Sequence, residues 1–255
     1  MFYRSEEEFR DRTGYLVDGT WYPRVTSIVS IKAKPGLASF YREVGDDEKA
    51  EEIKQKSADE GTLVHETVEA ILLGKEPAVD PSITPSIEAF RAFLAGQSIQ
   101  VDPDWVERRV AHHDERYAGT VDAVALIDGK LGVLDIKTSQ SIYRDYNLQT
   151  SAYVMAIQPQ LRSLRTRWIL RIDQAHACTL CGASKRMKGG REKIRANGNR
   201  NGNGSGGVCP HAWSELRGVV EMREFPYYLD DYRAFLGAKK LWEWEHAYWL
   251  ERMGY

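Results

Sequence analysis

The chain has 255 residues, 42% hydrophobic and 28% charged, with a mean hydropathy of −0.49, which suits one large domain or a domain carrying an insertion. No apolar run approaches the roughly 20 residues that span a bilayer, and the start MFYRSEEEFRDR is too charged for a secretory signal, so a cytoplasmic protein with no membrane partner is expected. The net charge of −2 says little about partners, and three cysteines confined to residues 178 to 209 argue against a disulfide framework.

In chain order, TGYLVDGTWYPRV (13–25) predicts a hairpin turning on Asp-Gly. A helix is expected from Pro35. SADEGTLVHETVEAILLG (57–74) predicts a helix in which Ser57 and Glu60 have capping-box spacing, Leu63, Val64, Val68, Ile71 and Leu72 form the apolar stripe and Gly74 is the stop. Another helix is expected from Pro85 to Ala95. Strands are expected at 106–113, 118–127 and 130–137, then a helix near 145–157 and strands at 165–173 and 216–225. The last 25 residues suit one long packed helix, with Trp242, Trp244, Tyr248 and Trp249 in the core. The order of elements fits an α/β fold with helices packed on a mixed sheet.

The segment 174–212 differs in character. Its stretch NGNRNGNGSGG cannot bury enough apolar surface to fix itself and should be mobile, so 174–212 reads as an insertion at a hairpin tip, with 1–173 and 213–255 as the main domain. Residues 160–200 carry eleven Lys or Arg against Asp173 and Glu192, either a phosphate-binding surface or a solvated basic loop.

The most informative stretch is GTVDAVALIDGKLGVLDIKT (119–138). A two-residue turn at Asp128-Gly129 pairs residue 127 with 130 and places Asp122 opposite Asp135, with Val124/Val133 and Leu126/Leu131 as packing pairs. Lys137 lies two residues beyond Asp135 and points the same way. Like charges directly opposite destabilise a sheet, whereas a divalent cation such as Mg²⁺ or Mn²⁺ reverses the sign of the interaction. The plainer alternative is that one Asp turns to solvent and the Lys simply pairs with it.

Asp122 followed by Asp135-Ile136-Lys137, with Gly61 and His65 in GTLVHE upstream and Gln149 and Tyr153 in QTSAY downstream, resembles the PD-(D/E)xK nuclease superfamily, in particular its RecB-like exonuclease branch and that branch's mitochondrial genome-maintenance and phage members. The early VTSIVSIKAKPGL also resembles the lead-in segment of that branch, and the likeness covers about residues 20–160. It implies a restriction-endonuclease-like core, and a host cytoplasmic location if the chain is phage-encoded. It further implies that Asp122, Asp135, the Ile136 carbonyl and His65 hold Mg²⁺ or Mn²⁺. Lys137 would then orient the attacking water. Gln149 and Tyr153, on one helix face, would contact DNA or brace Lys137. Glu107, expected on the strand before the site, stays ambiguous, and the adjacent His112 and His113 are assigned nothing. The implied activity is hydrolysis of phosphodiester bonds by an exonuclease on single-stranded DNA ends in replication, recombination or repair. A structure-specific endonuclease and a non-cleaving nucleic-acid-binding adaptor are the alternatives.

Cys178-x2-Cys181 and Cys209-Pro-His211 look like two halves of a structural zinc site, with His176 competing as the fourth ligand and reduced free cysteines as the alternative. Relatives with an iron–sulfur cluster carry one cysteine before the core and three after it. Here none precedes residue 178, which argues against such a cluster. A zinc-binding interaction module on the same fold is a third reading.

Overall fold

A computed structural model describes residues 3–196 and 209–255, so the stretch expected to be mobile, 197–207, lies outside the described residues. The chain opens with α1 (Glu6–Thr13), whose N-cap Ser5 accepts a hydrogen bond from the Glu8 N–H. The hairpin β1 (Gly14–Val17) and β2 (Thr20–Pro23) turns on Asp18-Gly19, both at positive φ, as the type I′ turn requires. After α2 (Val25–Val29), α3 (Pro35–Val44) starts on proline and ends at Gly45 in the left-handed region.

Then comes α4 (Asp47–Leu72), which starts ten residues earlier than expected. The capping box at Ser57 and Glu60 does not form, because residues 47–56 are strong helix formers laced by Glu51–Lys54 and Glu52–Lys56 pairs. The N-cap is Asp46, bonded to the Lys49 N–H. Glu60 instead accepts a hydrogen bond from the Gly189 N–H at 3.0 Å.

Beyond α5 (Thr84–Ala95) and the short β3 (Ile99–Val101) lie β4 (Arg108–His112), β5 (Tyr117–Val121), β6 (Ala123–Ile127) and β7 (Lys130–Lys137). The strand expected at 118–127 is broken in two by a bend at Asp122. Its first half pairs with β4 and its second with β7, in separate sheets, and the change of partner forces the bend. Next come α6 (Asp145–Ile157), β8 (Thr166–Ala177), β9 (Ser184–Lys188), β10 (Arg191–Arg195) and β11 (Arg217–Glu224). The chain closes with α7 (Leu229–Glu245) and α8 (Ala247–Arg252), two helices separated at His246 where one was expected. Trp242 is buried, but Trp244 and Tyr248 are 75% and 63% exposed, so the terminal aromatic group is only partly core.

Among the described residues the central sheet is mixed and has seven strands in the order β10-β9-β8-β7-β6-β3, with β11 on the far side of β8 from β7. Strands β7 and β8 run parallel, and α6 supplies the crossover that such a pair needs. Helices cover both faces. On one face Val133 joins Phe9, Ile28, Val154, Phe235 and Trp242; on the other Leu134 and Ile136 join Val64, Val68, Phe90 and Ile172. Strand alternation therefore sends Asp135 and Lys137, in phase with Val133, toward the α6 layer. No described helix is long and apolar enough to cross a membrane.

Candidate active site and metal cluster

The predicted register holds from Ile127–Lys130 to Ala123–Leu134, which fixes where the two aspartates end up. Asp122 is not a ladder partner of Asp135, as had been expected. At the bend its backbone carbonyl accepts the Glu107 N–H, and its Oδ2 accepts the Ile136 N–H at 2.6 Å. The carboxylate thus caps the end of the ladder, and Asp122 stays 9% exposed, so neither Asp turns to solvent.

Asp135 is fully buried. Its Oδ1 accepts from Gln149 Nε2 at 3.3 Å; its Oδ2 lies 2.6 Å from Lys137 Nζ in an ion pair and otherwise accepts no hydrogen bond. Burial pushes the Asp135 carboxyl up, against the pull of Lys137. Burial also works against the Lys137 ammonium, but Asp135 and Asp122 outweigh it and raise its pKa. The Tyr146 ring, one turn before Gln149 on α6, faces the ammonium at 5.3 Å.

Gln149 also donates to the Tyr153 hydroxyl at 3.0 Å, so the QTSAY pair holds Asp135 and not Lys137. Tyr153 is 2% exposed and cannot meet a polymer in this conformation, which corrects half of the expectation for it. A Cβ on Gly119 would overlap the Tyr153 ring, so this glycine of β5 is what lets the tyrosine lie across the strand. On α4 a Cβ at Gly61 would come within 3.0 Å of Thr138 Oγ1, a tight approach that the glycine relieves.

His65 lines an open cleft of about 450 Å³ with Gly61, Glu66, Glu69, Glu107 and Thr138. Its Nδ1 lies 3.7 Å from Glu69 Oε1. Burial lowers the imidazole pKa, but Glu69 and the nearby Asp122 outweigh it and raise it overall. Glu107 is not on a strand but immediately before β4, in the left-handed region at φ 48°. Burial, then Glu69, then Asp122 push its carboxyl up to about 7. Sequence reading missed Glu69 and Tyr146. The i, i+4 spacing from His65 was the available signal for Glu69; nothing in the sequence marks Tyr146.

His65, Asp122 and Asp135 do not converge tightly. Among the described residues, the group of Cys, His or acidic side chains whose donor atoms all fall within 4.8 Å of one another is Cys178, Cys181, Cys209 and His211. Asp135 faces the α6 layer whereas α4 packs on the opposite face of the sheet, so His65 reaches the aspartates only around the end of β7.

The cysteine cluster is built by two loops. Cys178 follows β8, and its carbonyl accepts the N–H of Gly182, a residue at φ 69° that turns the knuckle back. A bridge from Cys178 to Trp213 brings in the second half. Ligands of a tetrahedral zinc lie about 3.8 Å apart for two sulfurs and about 3.6 Å for sulfur and nitrogen. Cys178 Sγ to Cys209 Sγ is 3.9 Å and Cys181 Sγ to His211 Nδ1 is 3.5 Å. The four could hold a metal ion such as zinc. His211 and not His176 completes the group of converging donors, and His176 Nδ1 lies 2.8 Å from the Ser214 carbonyl oxygen.

Comparison with known proteins gives no matching family model and no match among curated proteins.

Proposed function

We propose that the protein is a metal-dependent nuclease that hydrolyses phosphodiester bonds, an exonuclease acting on single-stranded DNA ends, with a restriction-endonuclease-like core and a cysteine-bearing insertion. The reading is carried by the buried end of β7. There Asp135 keeps an oxygen with no hydrogen bond, Asp122 is locked by the Ile136 N–H, and Lys137 is paired with Asp135. Four carboxylates gather around this strand end and its cleft: Glu69, Glu107, Asp122 and Asp135. Hard divalent cations take such oxygen sets; burial first, and then Glu69 and Asp122, push the Glu107 carboxyl up, and a cation would offset the share due to the neighbouring acids.

Asp122, Asp135 and the Ile136 carbonyl would hold Mg²⁺ or Mn²⁺, with His65 reaching it from α4. The ion would supply Lewis acidity toward the phosphate and a water of lowered pKa. Gln149 fixes the rotamer of Asp135, and the Tyr146 ring keeps Lys137 over the carboxylates. From there the ammonium can donate to a water or a phosphate oxygen as negative charge develops. Zinc at the cysteine cluster would be structural, joining residues 178–182 to 209–213.

The test is digestion of linear and circular single-stranded DNA with Mg²⁺ or Mn²⁺. The expected result is loss of linear substrate only, with Asp135→Ala slowed by a factor on the order of 10³ or more. Cleavage of circles moves the reading to an endonuclease. Equal behaviour of wild type and Asp135→Ala, with nothing above background, overturns it in favour of a non-cleaving adaptor.

A further inference from the structure

The cleft beside His65 continues past Ser57 and Ala58 of α4 into a second groove of about 310 Å³. One wall is α3 with Phe40; the other is the β9–β10 hairpin. The hairpin register pairs Lys188 with Arg191, Arg186 with Lys193 and Ser184 with Arg195. Cross-strand partners share a face and alternate residues return to it. Arg186, Lys188, Arg191, Lys193 and Arg195 therefore all point to one side, and Lys185, Met187, Glu192 and Ile194 to the other.

Like charges directly opposite destabilise a hairpin, and this face carries two such pairs. Its neutralisation is incomplete. Asp173 takes Arg186 at 2.7 Å and Glu43 on α3 takes Arg191, while Lys188 donates to the uncharged Thr138 and Arg195 to Ser141. Burial, and then the neighbouring Arg186, depress the Lys188 ammonium to about 8. The hairpin is also seated on the site. Its Gly189 packs on Ile53 and Ser57 of α4 so closely that a side chain there would overlap them, and both Arg186 and Lys188 donate to the carbonyl of Thr138, the residue after Lys137.

We infer that the cationic face of the β9–β10 hairpin is a phosphate track that leads a single DNA strand along α4 to the end of β7. The inference rests on the nuclease reading of that strand end. Spaced cations beside a groove follow a phosphate backbone, and Phe40 offers a ring on which a base can stack. The Arg191–Glu43 bridge spans the groove, which favours one strand over a duplex.

Fluorescence anisotropy with a labelled oligothymidylate, in Ca²⁺ without Mg²⁺, tests the track separately from cleavage. In the double variant Lys193→Ala/Arg195→Ala, affinity should fall roughly tenfold. The slope of log affinity against log salt should fall by about 1.4, the loss of two single-strand phosphate contacts. Lys185→Ala, on the opposite face, should change neither. Equal weakening by Lys185→Ala, or an unchanged slope in the double variant, overturns the track. If melting shows the double variant misfolded, Lys193→Gln alone is read by the same criterion, with a slope change of about 0.7. Groove-dependent binding without any Asp135-dependent cleavage would sink the nuclease reading and leave the track standing.

Discussion

The end of β7 and the cysteine cluster both gather metal-type donors, but they are built in opposite ways. At β7 the two aspartates sit on the strand and at the bend beside its end, buried, each already held by a protein partner: Asp122 by Ile136, Asp135 by Gln149 and Lys137. In the cluster the four donors come from two loops and face mainly one another, at spacings a tetrahedral ion would fill. The first arrangement is made by the fold and stands without an ion. In the second the halves are already joined by short hydrogen bonds, Thr179 N–H to the Ala212 carbonyl and Ser214 N–H to the Ala177 carbonyl, and an ion there would add to that local order. Damage to β7 should therefore register as global stability, and damage to the cluster as local loosening.

The largest effect should come from Asp135→Ala. It leaves the partly buried Lys137 ammonium without its fully buried carboxylate partner, and chemical denaturation should show a loss of about 3–5 kcal/mol. A loss below about 1 kcal/mol would break the comparison, since it would mean the strand end is not locked by its own contacts. Gly119→Ala should follow, at about 1–3 kcal/mol, because the new methyl meets the Tyr153 ring. If Tyr153 holds Gln149 as described, this variant should also slow cleavage through displaced Asp135, while Gly129→Ala, in the exposed turn, should not slow it.

Cys181→Ser sharpens the other side. The protein as purified should contain about one zinc per chain and the variant about none. Hydrogen exchange should quicken in 178–196 and 209–214, with a melting shift smaller than that of Asp135→Ala. No zinc in the wild type, or a global loss as large as at β7, would remove the contrast.

The smallest effect is electrostatic. Burial, and then the neighbouring Arg186, depress the folded Lys188 ammonium from an ordinary 10.5 to about 8, against the pull of Asp173 and Glu60. Between those two pH values the unfolded chain binds more protons than the folded one, so stability should rise with pH from about 8 to 10.5. Lys188→Met should flatten that rise. Saturating oligothymidylate should flatten it as well, because phosphate favours the charged ammonium.

Much of the framework was legible from local signals. Asp18-Gly19 and Asp128-Gly129 dictated both hairpins and their registers, since few turns suit right-twisted strands. The bounds of α6 and the α3 start at Pro35 also agree with the sequence reading. Failures occurred where a distant partner overrode a local pattern. Asp122 reads as mid-strand but is a bend, because β5 and β6 belong to different sheets. Ser57 and Glu60 read as a cap, but the ten residues before them are helical and Glu60 is used by the hairpin.

The sequence by itself determined the chemistry available here: two carboxylates and an amine around one Asp-Gly turn, a helix histidine ahead of them, a Gln/Tyr pair behind, and three cysteines with a histidine in a basic stretch. Those are choices of residue and spacing, and periodicity transmits them directly into which side chains share a face. Only the tertiary structure decided what each group touches. It set Tyr153 in the core, gave His65 the company of Glu69, chose His211 over His176, and turned five cations of an apparent insertion toward α4. Contacts across separate elements depend on how sheets and helices pack, which no local spacing encodes.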